Sequence, residues 1–382
     1  MDGTAQSPSR RPDRRSRRRP ETVATRTAPA RRPSPDVRPR NRRPVTRRVE
    51  PASPRRHAIA SPPNPPGVAG RRTLPHSPTG RCGAGEPFVS TLDTFGVSAA
   101  LTTPFAADGT IAVATLVAHA RSCLDRGCDS VTLFGTTGEG ASIGEAERAA
   151  VFDAFAAGGI PADRIVCGVA AAAWPDAAAQ ARDGLARGCR AVLIPPPFYF
   201  KNPSLDGLAA WYGALIGALG ADARDVILYH IPSVTAVPLP LELILRLARD
   251  FPRAVAAVKD SGGVWADTEA LLAARGDLAI LVGDERDLAR AVRLGAVGAI
   301  SGMANLRPDR LRAMVDLGRD DPGMVELVRA LLAHPVTPAV KALVAHMTGD
   351  AAWGRTRPPL EATPAIAAAA LADLYDRVFP VA

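Results

Sequence analysis

The run AVAAVKDSGG, residues 254–263, ends an apolar stretch with a lysine. Lys259 is one of only three lysines, with Lys201 and Lys341, among 47 basic side chains that are otherwise arginine. Charge alone does not require it. A lysine turned into a closed interior loses hydration, which disfavours the ammonium and lowers its pKa from about 10.4 toward the range where a neutral amine attacks a carbonyl. That is how an amine becomes a Schiff-base nucleophile. The plain alternative is a packed stem with its ammonium in water. Gly135-Thr136-Thr137-Gly138-Glu139 offers two hydroxyls and several backbone N–H groups near a helix start, a cradle for a small carboxylate. The other reading is a glycine-rich turn chosen for backbone freedom. Tyr229 could pass protons to and from a substrate oxygen or an imine carbon, and Tyr199 could relay them through Thr136. Either tyrosine could equally be a packed aromatic.

These residues need elements that bring them together. From Gly96 onward short apolar runs alternate with longer stretches whose apolar residues recur every three or four positions. The strand candidates are GVSAALTTP, DSVTLFG, RIVCGVA, AVLIPP, VILYHIP, VAAVKDS, LAILVGD and GAISG. Residues 113–126 form a helix candidate with Val113, Leu116, Val117, Ala120 and Leu124 on one face. Residues 241–249 form another, with Leu241, Ile244, Leu245 and Ala248. Ser142-Ile143-Gly144-Glu145 has the form of a capping box and predicts a helix start directly after GTTGEG. Eight strands, each followed by a helix, over roughly 200 residues fit a closed (β/α)8 TIM barrel. No GxGxxG follows the first strand, against a dinucleotide fold. Helical patterns at 310–317, 324–333, 337–347 and 364–378 predict a C-terminal helical extension. In such barrels the working groups gather at the C-terminal ends of the strands. GTTGEG, PPPFYFKNP, LYHIP, KDSGG, GDE and ISG all fall there.

The division expected is an Arg/Pro-rich extension at 1–88, a barrel at 89–305 and a helical extension at 306–382. Residues 1–88 hold 21 arginines against six acids and one aromatic, Phe88. Such a segment cannot bury enough surface to offset its ordering entropy and is expected to be disordered. Removing its +15 from the overall +9 leaves the remainder at −6. The tail could hold phosphate backbones nonspecifically, but it lacks interleaved stacking aromatics. A solvated extension, a misplaced start and a targeting peptide are the blander readings. Cys82, Cys123, Cys128, Cys167 and Cys189 are odd in number and lack metal-ligand spacing. With no apolar span of membrane length, this suits a cytoplasmic protein.

Taken in order, GTTGEG, PPFYFKNP, YHIPSVT, VKDSG and GAVGAISGMAN resemble the dihydrodipicolinate synthase and N-acetylneuraminate lyase family over about residues 94–350. The resemblance implies a (β/α)8 barrel, usually a homotetramer. It also implies binding of pyruvate or another 2-oxo acid as a Schiff base without metal or organic cofactor. By position, Lys259 resembles the imine-forming lysine, Tyr229 the catalytic tyrosine, Thr136 and Thr137 the carboxylate-binding pair, and Tyr199 the tyrosine of the proton relay. Gly283 and Ile300 resemble strand-end positions that line the pocket through their backbones. Two positions depart. Dihydrodipicolinate synthases read YNxPxRTG, with an arginine on the carboxylate of aspartate semialdehyde, whereas Val234 stands here and cannot form that pair. His230 replaces an asparagine and, on a strand, faces away from Tyr229.

The expected activity is therefore that of a class I aldolase or lyase acting on a 2-oxo acid and an aldehyde without the carboxylate, or dehydrating a 2-keto-3-deoxy sugar acid. The rival within the enzyme class is 4-hydroxy-tetrahydrodipicolinate synthase. The rival outside it is a non-catalytic 2-oxo-acid-binding regulator with a nucleic-acid-binding tail. Secondary expectations are that Asp260 satisfies backbone groups and that Glu139 supports its loop. Lys201 and Lys341 are expected to be solvated or capping. Asp284 and Glu285 either meet the substrate's variable end or cap a helix.

Overall fold

Eight short runs of β-branched and apolar residues pair in sequence order and close on themselves. In the computed structural model, which describes Leu92 and residues 94–380, the strands are β1 (Gly96–Ala100), β2 (Ser130–Leu133), β3 (Ile165–Gly168), β4 (Ala191–Ile194), β5 (Val226–His230), β6 (Val255–Asp260), β7 (Ala279–Val282) and β8 (Gly298–Ser301). All neighbours are parallel, and β8 returns to β1 through the pairs Gly96–Gly298 to Ala99–Ser301. This is the TIM barrel expected from the alternation of strand and helix patterns. The arginine-rich segment 1–88, including Cys82, lies outside the described residues.

Period-two alternation sorts each strand into two faces. Ala100, Val166, Leu193, Ile227, Ala257, Leu281 and Ile300 make the apolar cluster inside the barrel, and Tyr229 belongs to it. Their strand neighbours Ala99, Cys167, Ile194, Leu228, Val258, Val282 and Ala299 join the larger cluster beneath the helices. The seam where β8 meets β1 carries a polar rivet, Asn305. Its Nδ2 donates to the carbonyls of Ala100 and Gly302 at 2.7 and 2.8 Å, and its Oδ1 accepts from Thr102 N at 3.1 Å.

Two helix faces are rotated from their sequence expectation. Helix Val113–Asp125 buries Leu116, His119, Ala120 and Cys123, leaving Val113 and Leu124 half-buried. The turn is toward His119, whose ring meets Trp353 of the C-terminal extension at 4.7 Å and whose Nε2 lies 3.1 Å from Asn305 Oδ1. Helix Leu241–Asp250 buries Leu243, Ile244 and Leu247. The capping box expected from Ser142 does not form: the N-cap of helix Glu145–Ala157 is Gly144, which has no side chain to cap with, and only its N–H donates to Glu147 Oε2 at 3.1 Å. Ser142 instead ends a single 3-10 turn, Gly140–Ser142, that carries the chain out of the GTTGEG loop. After β8, helices Pro308–Leu317, Pro322–Leu331, Val336–Thr348 and Ala365–Val378 follow. Among the described residues no helix is long and apolar enough to cross a membrane.

Candidate active site

Tyr229 and Lys259 are register partners on β5 and β6, so their inward side chains lie side by side across one strand spacing. Both are nearly sealed, at 4% and 5% exposed. Lys259 Nζ lies over the Tyr229 ring, 4.2 Å from its centroid, where the negative face of the ring attracts a cation. On the other side, Tyr229 Oη is 3.4 Å from Thr136 Oγ1. A contiguous line of hydroxyl, phenol and amine therefore runs across the mouth of the barrel.

The loop holding Thr136 is tightly built. Phe134 and Glu139 both adopt left-handed φ, 58° and 56°, which side chains seldom accept. The glycines meanwhile permit close approach: a Cβ on Gly140 would sit 1.9 Å from the Phe134 carbonyl oxygen, and one on Gly138 2.8 Å from that of Leu101. Close packing rather than backbone freedom accounts for these glycines. Glu139 N and Gly140 N donate back to the carbonyls of Thr136 and Gly135. Among the described residues the amides of Thr136 and Thr137 donate to no protein acceptor. Thr137 packs on the end of β8, where a Cβ on Gly302 would lie 3.5 Å from its Oγ1.

The loop is also clamped from the C-terminal extension. Thr337 Oγ1 donates to the Thr136 carbonyl at 3.1 Å. Glu139 Oε1 pairs with Lys341 Nζ, and its Oε2 accepts from Arg357 N at 2.9 Å. The expectation that Lys341 is solvated or capping is overturned: it is 0% exposed, donates to Thr103 O at 2.8 Å and stands 4.4 Å from the Phe105 ring centroid. Burial pulls its pKa down, while Glu139 acts in the opposite direction. The sequence held a cue to this. Lys341 lies four residues after Thr337 and three before Val344, both buried on the inner face of their helix.

Around this line a cavity of about 620 Å³ opens, with Thr136 and Tyr229 in its lining. Lys259, Thr137, Gly283 and Ile300 are not in that lining. Lys259 lies against the Tyr229 ring, and Ile300 is buried in the same inner cluster as Tyr229. Gly283 N donates to Asp260 O at 2.7 Å, and a Cβ there would meet Ser261 Oγ at 2.0 Å. Tyr199 is not brought to Thr136. It is 76% exposed with its ring edge-on to Phe200, 5.2 Å between centroids. Pro195, Pro196 and Pro197 hold the chain extended after β4, and Phe198, not Tyr199, reaches the cavity.

The flanking charged groups are committed elsewhere. Asp260, on the outer face, accepts from Gly262 N at 2.9 Å and Thr268 Oγ1 at 2.6 Å. His230 Nδ1 accepts from Leu239 N at 3.0 Å, and burial lowers the pKa of its ring. Asp284 is gripped by Arg286 at 2.6 and 2.9 Å. Glu285 is buried and accepts from Ser301 Oγ; burial raises its pKa, against the pull of that hydroxyl and of Lys259. Neither caps the following helix, Leu288–Arg293, whose N-cap is Asp287. Lys201 Nζ bridges two loops through the carbonyls of Phe198 and Thr235, the latter at 3.0 Å.

With this geometry in place, the sequence pattern of the dihydrodipicolinate synthetase family matches residues 93–360. The chain belongs to that family. An uncharacterized DapA-like lyase of Chloroflexus aurantiacus is 35% identical over 293 residues, covering 74% of this chain and 96% of the relative. A 4-hydroxy-tetrahydrodipicolinate synthase of Corynebacterium urealyticum is 34% identical over 222 residues, 58% of this chain and 71% of the relative. Among solved structures, a dihydrodipicolinate synthase of Agrobacterium tumefaciens superimposes with a TM-score of 0.73 at 54% identity, covering 75% of this chain and 99% of that one. As a member of the dihydrodipicolinate synthetase family, the chain is an enzyme of the lyase class, of the class I aldolase type.

Proposed function

We propose that Lys259 forms a Schiff base with pyruvate or a related 2-oxo acid, and that the enzyme makes or breaks a C–C bond with an aldehyde. The Lys259 amine attacks the 2-oxo carbon, and loss of water gives a protonated imine. That cation draws electrons, so a methyl proton leaves C3 and an enamine forms. C3 then attacks the aldehyde carbon, whose oxygen takes up a proton. Addition of water to the imine returns the free amine and a 4-hydroxy-2-oxo acid; cleavage is the reverse. Thr136 and Thr137 hold the carboxylate, and Tyr229 carries protons in company with Thr136. Holding both reactants in one pocket converts a bimolecular encounter into a local one.

The observation that carries this reading is the pairing of Tyr229 with Lys259 in a dry interior, with Thr136 against the phenol. Borohydride reduction in the presence of pyruvate is expected to add the mass of a reduced pyruvate adduct to the peptide containing Lys259. An unmodified peptide, under conditions that label a known family member, refutes it. The narrower reading, 4-hydroxy-tetrahydrodipicolinate synthase, has relatives bearing that name in its favour and Val234 against it. A homotetramer and a cytoplasmic setting belong to the proposal through family resemblance.

A further inference from the structure

The cavity is far larger than a three-carbon acid needs, and its volume lies in the range of about 300–1,000 Å³ that holds drug-sized ligands. Its upper part lies between barrel loops and the C-terminal extension. Phe198, Ile231 and Val234 line it from the loops, and Leu332, Val336 and Leu360 from the extension. Most of the polar side chains there are already used. Thr235 Oγ1 donates within its own turn to the Ile231 carbonyl at 3.0 Å, Lys201 donates to two carbonyls, and Glu139 is held by Lys341 and Arg357. Ser142, Ser233 and His334 remain. Among the described residues no arginine lines the cavity, and Val234, 58% exposed, presents a methyl surface to it.

From this chemistry we infer that the second substrate is an aldehyde with an uncharged apolar body, aromatic or branched-alkyl in size. The inference rests on the Schiff-base reading above and specifies its unassigned partner. A polyhydroxylated aldehyde would bury several hydroxyls against apolar walls with too few partners, each unmatched group weakening binding. Among the described lining residues an aldehyde with a distal carboxylate would find no guanidinium for a bidentate grip, only the His334 ring, two hydroxyls and Lys201, whose ammonium already serves two carbonyls. An apolar body gains by leaving water for these walls. The C–C bond-forming step is unchanged: C3 of the enamine bonds to the aldehyde carbon, and the aldehyde oxygen takes a proton.

The test uses the full-length chain with pyruvate and, separately, benzaldehyde, aspartate semialdehyde and D-glyceraldehyde, following pyruvate consumption. Benzaldehyde is expected to show a kcat/KM at least tenfold above either of the others. Val234→Arg is expected to move the ratio of aspartate semialdehyde to benzaldehyde tenfold or more toward the carboxylated partner, because an arginine there offers a bidentate grip. Preference for either polar aldehyde by the unaltered chain overturns the inference. Borohydride trapping with pyruvate alone separates the two levels. An adduct on Lys259 without benzaldehyde turnover sinks the substrate class and leaves the Schiff base standing, whereas no adduct sinks both.

Discussion

Replacing Lys341 with methionine tests the clamp between the C-terminal extension and the GTTGEG loop. The side chain keeps its length and most of its volume, so little cavity forms, but the positive charge disappears from a site with 0% exposure. Glu139 then keeps the Arg357 amide on one oxygen and loses the ammonium on the other. Removing one partner of a buried pair typically costs about 3–5 kcal/mol, because the remaining charge is left unmatched away from water. At about 2–4 °C per kcal/mol for a domain approaching this size, the melting temperature should fall by about 6–20 °C. The Lys341→Met, Glu139→Gln double variant removes both charges and should recover at least half of that loss. Circular dichroism melts of the two single variants and the double variant complete the cycle. Pyruvate KM should rise in the single variant, since Glu139 belongs to the loop that carries Thr136. A Lys341→Met protein melting within about 2 °C of the parent, or a double variant no better than the single, refutes the reasoning.

Tyr229→Phe should lower kcat by about 10²-fold or more, the usual scale for losing a general acid–base group. Its melting temperature should hold, since the hydroxyl contact to Thr136 is long at 3.4 Å; kcat within threefold of the parent would remove Tyr229 from the proton path. His119 is buried beside Asn305 and Trp353, and burial pulls its pKa from 6.5 to about 4. Between those values the unfolded chain binds a proton that the native chain does not. Stability is thus unaffected above pH 6.5 and falls by about 3 kcal/mol on going down to pH 4. Urea unfolding of His119→Gln should show a flatter acid slope, and an identical slope would contradict this. Gly140→Ala forces a methyl group onto the Phe134 carbonyl, which must move the loop. Pyruvate trapping on Lys259 should drop at least tenfold, and unchanged trapping would show that the loop tolerates the displacement.

Much of this molecule is legible one segment at a time. Strand and helix periods are local properties of the chain, so eight alternating units and their order follow from the sequence. Strand alternation likewise turns Lys259 and Tyr229 to one face and Asp260 and His230 to the other, because successive side chains on a strand point oppositely. What needed the folded chain are matches across long separations. Lys341 meets Glu139 from 202 positions away, so nothing in its own helix pattern could reveal an ion pair there. Tyr199 and Phe198 differ by one position, and only the path of the proline-led loop decides which enters the cavity. The outer wall of that cavity comes from residues 332, 334–338 and 359–360, after the last strand. Local periodicity determines which elements form and which face each strand presents; closure of the barrel against its C-terminal extension determines how the helices turn and which distant groups lose their water together, and burial sets both their charges and the shape left for a substrate.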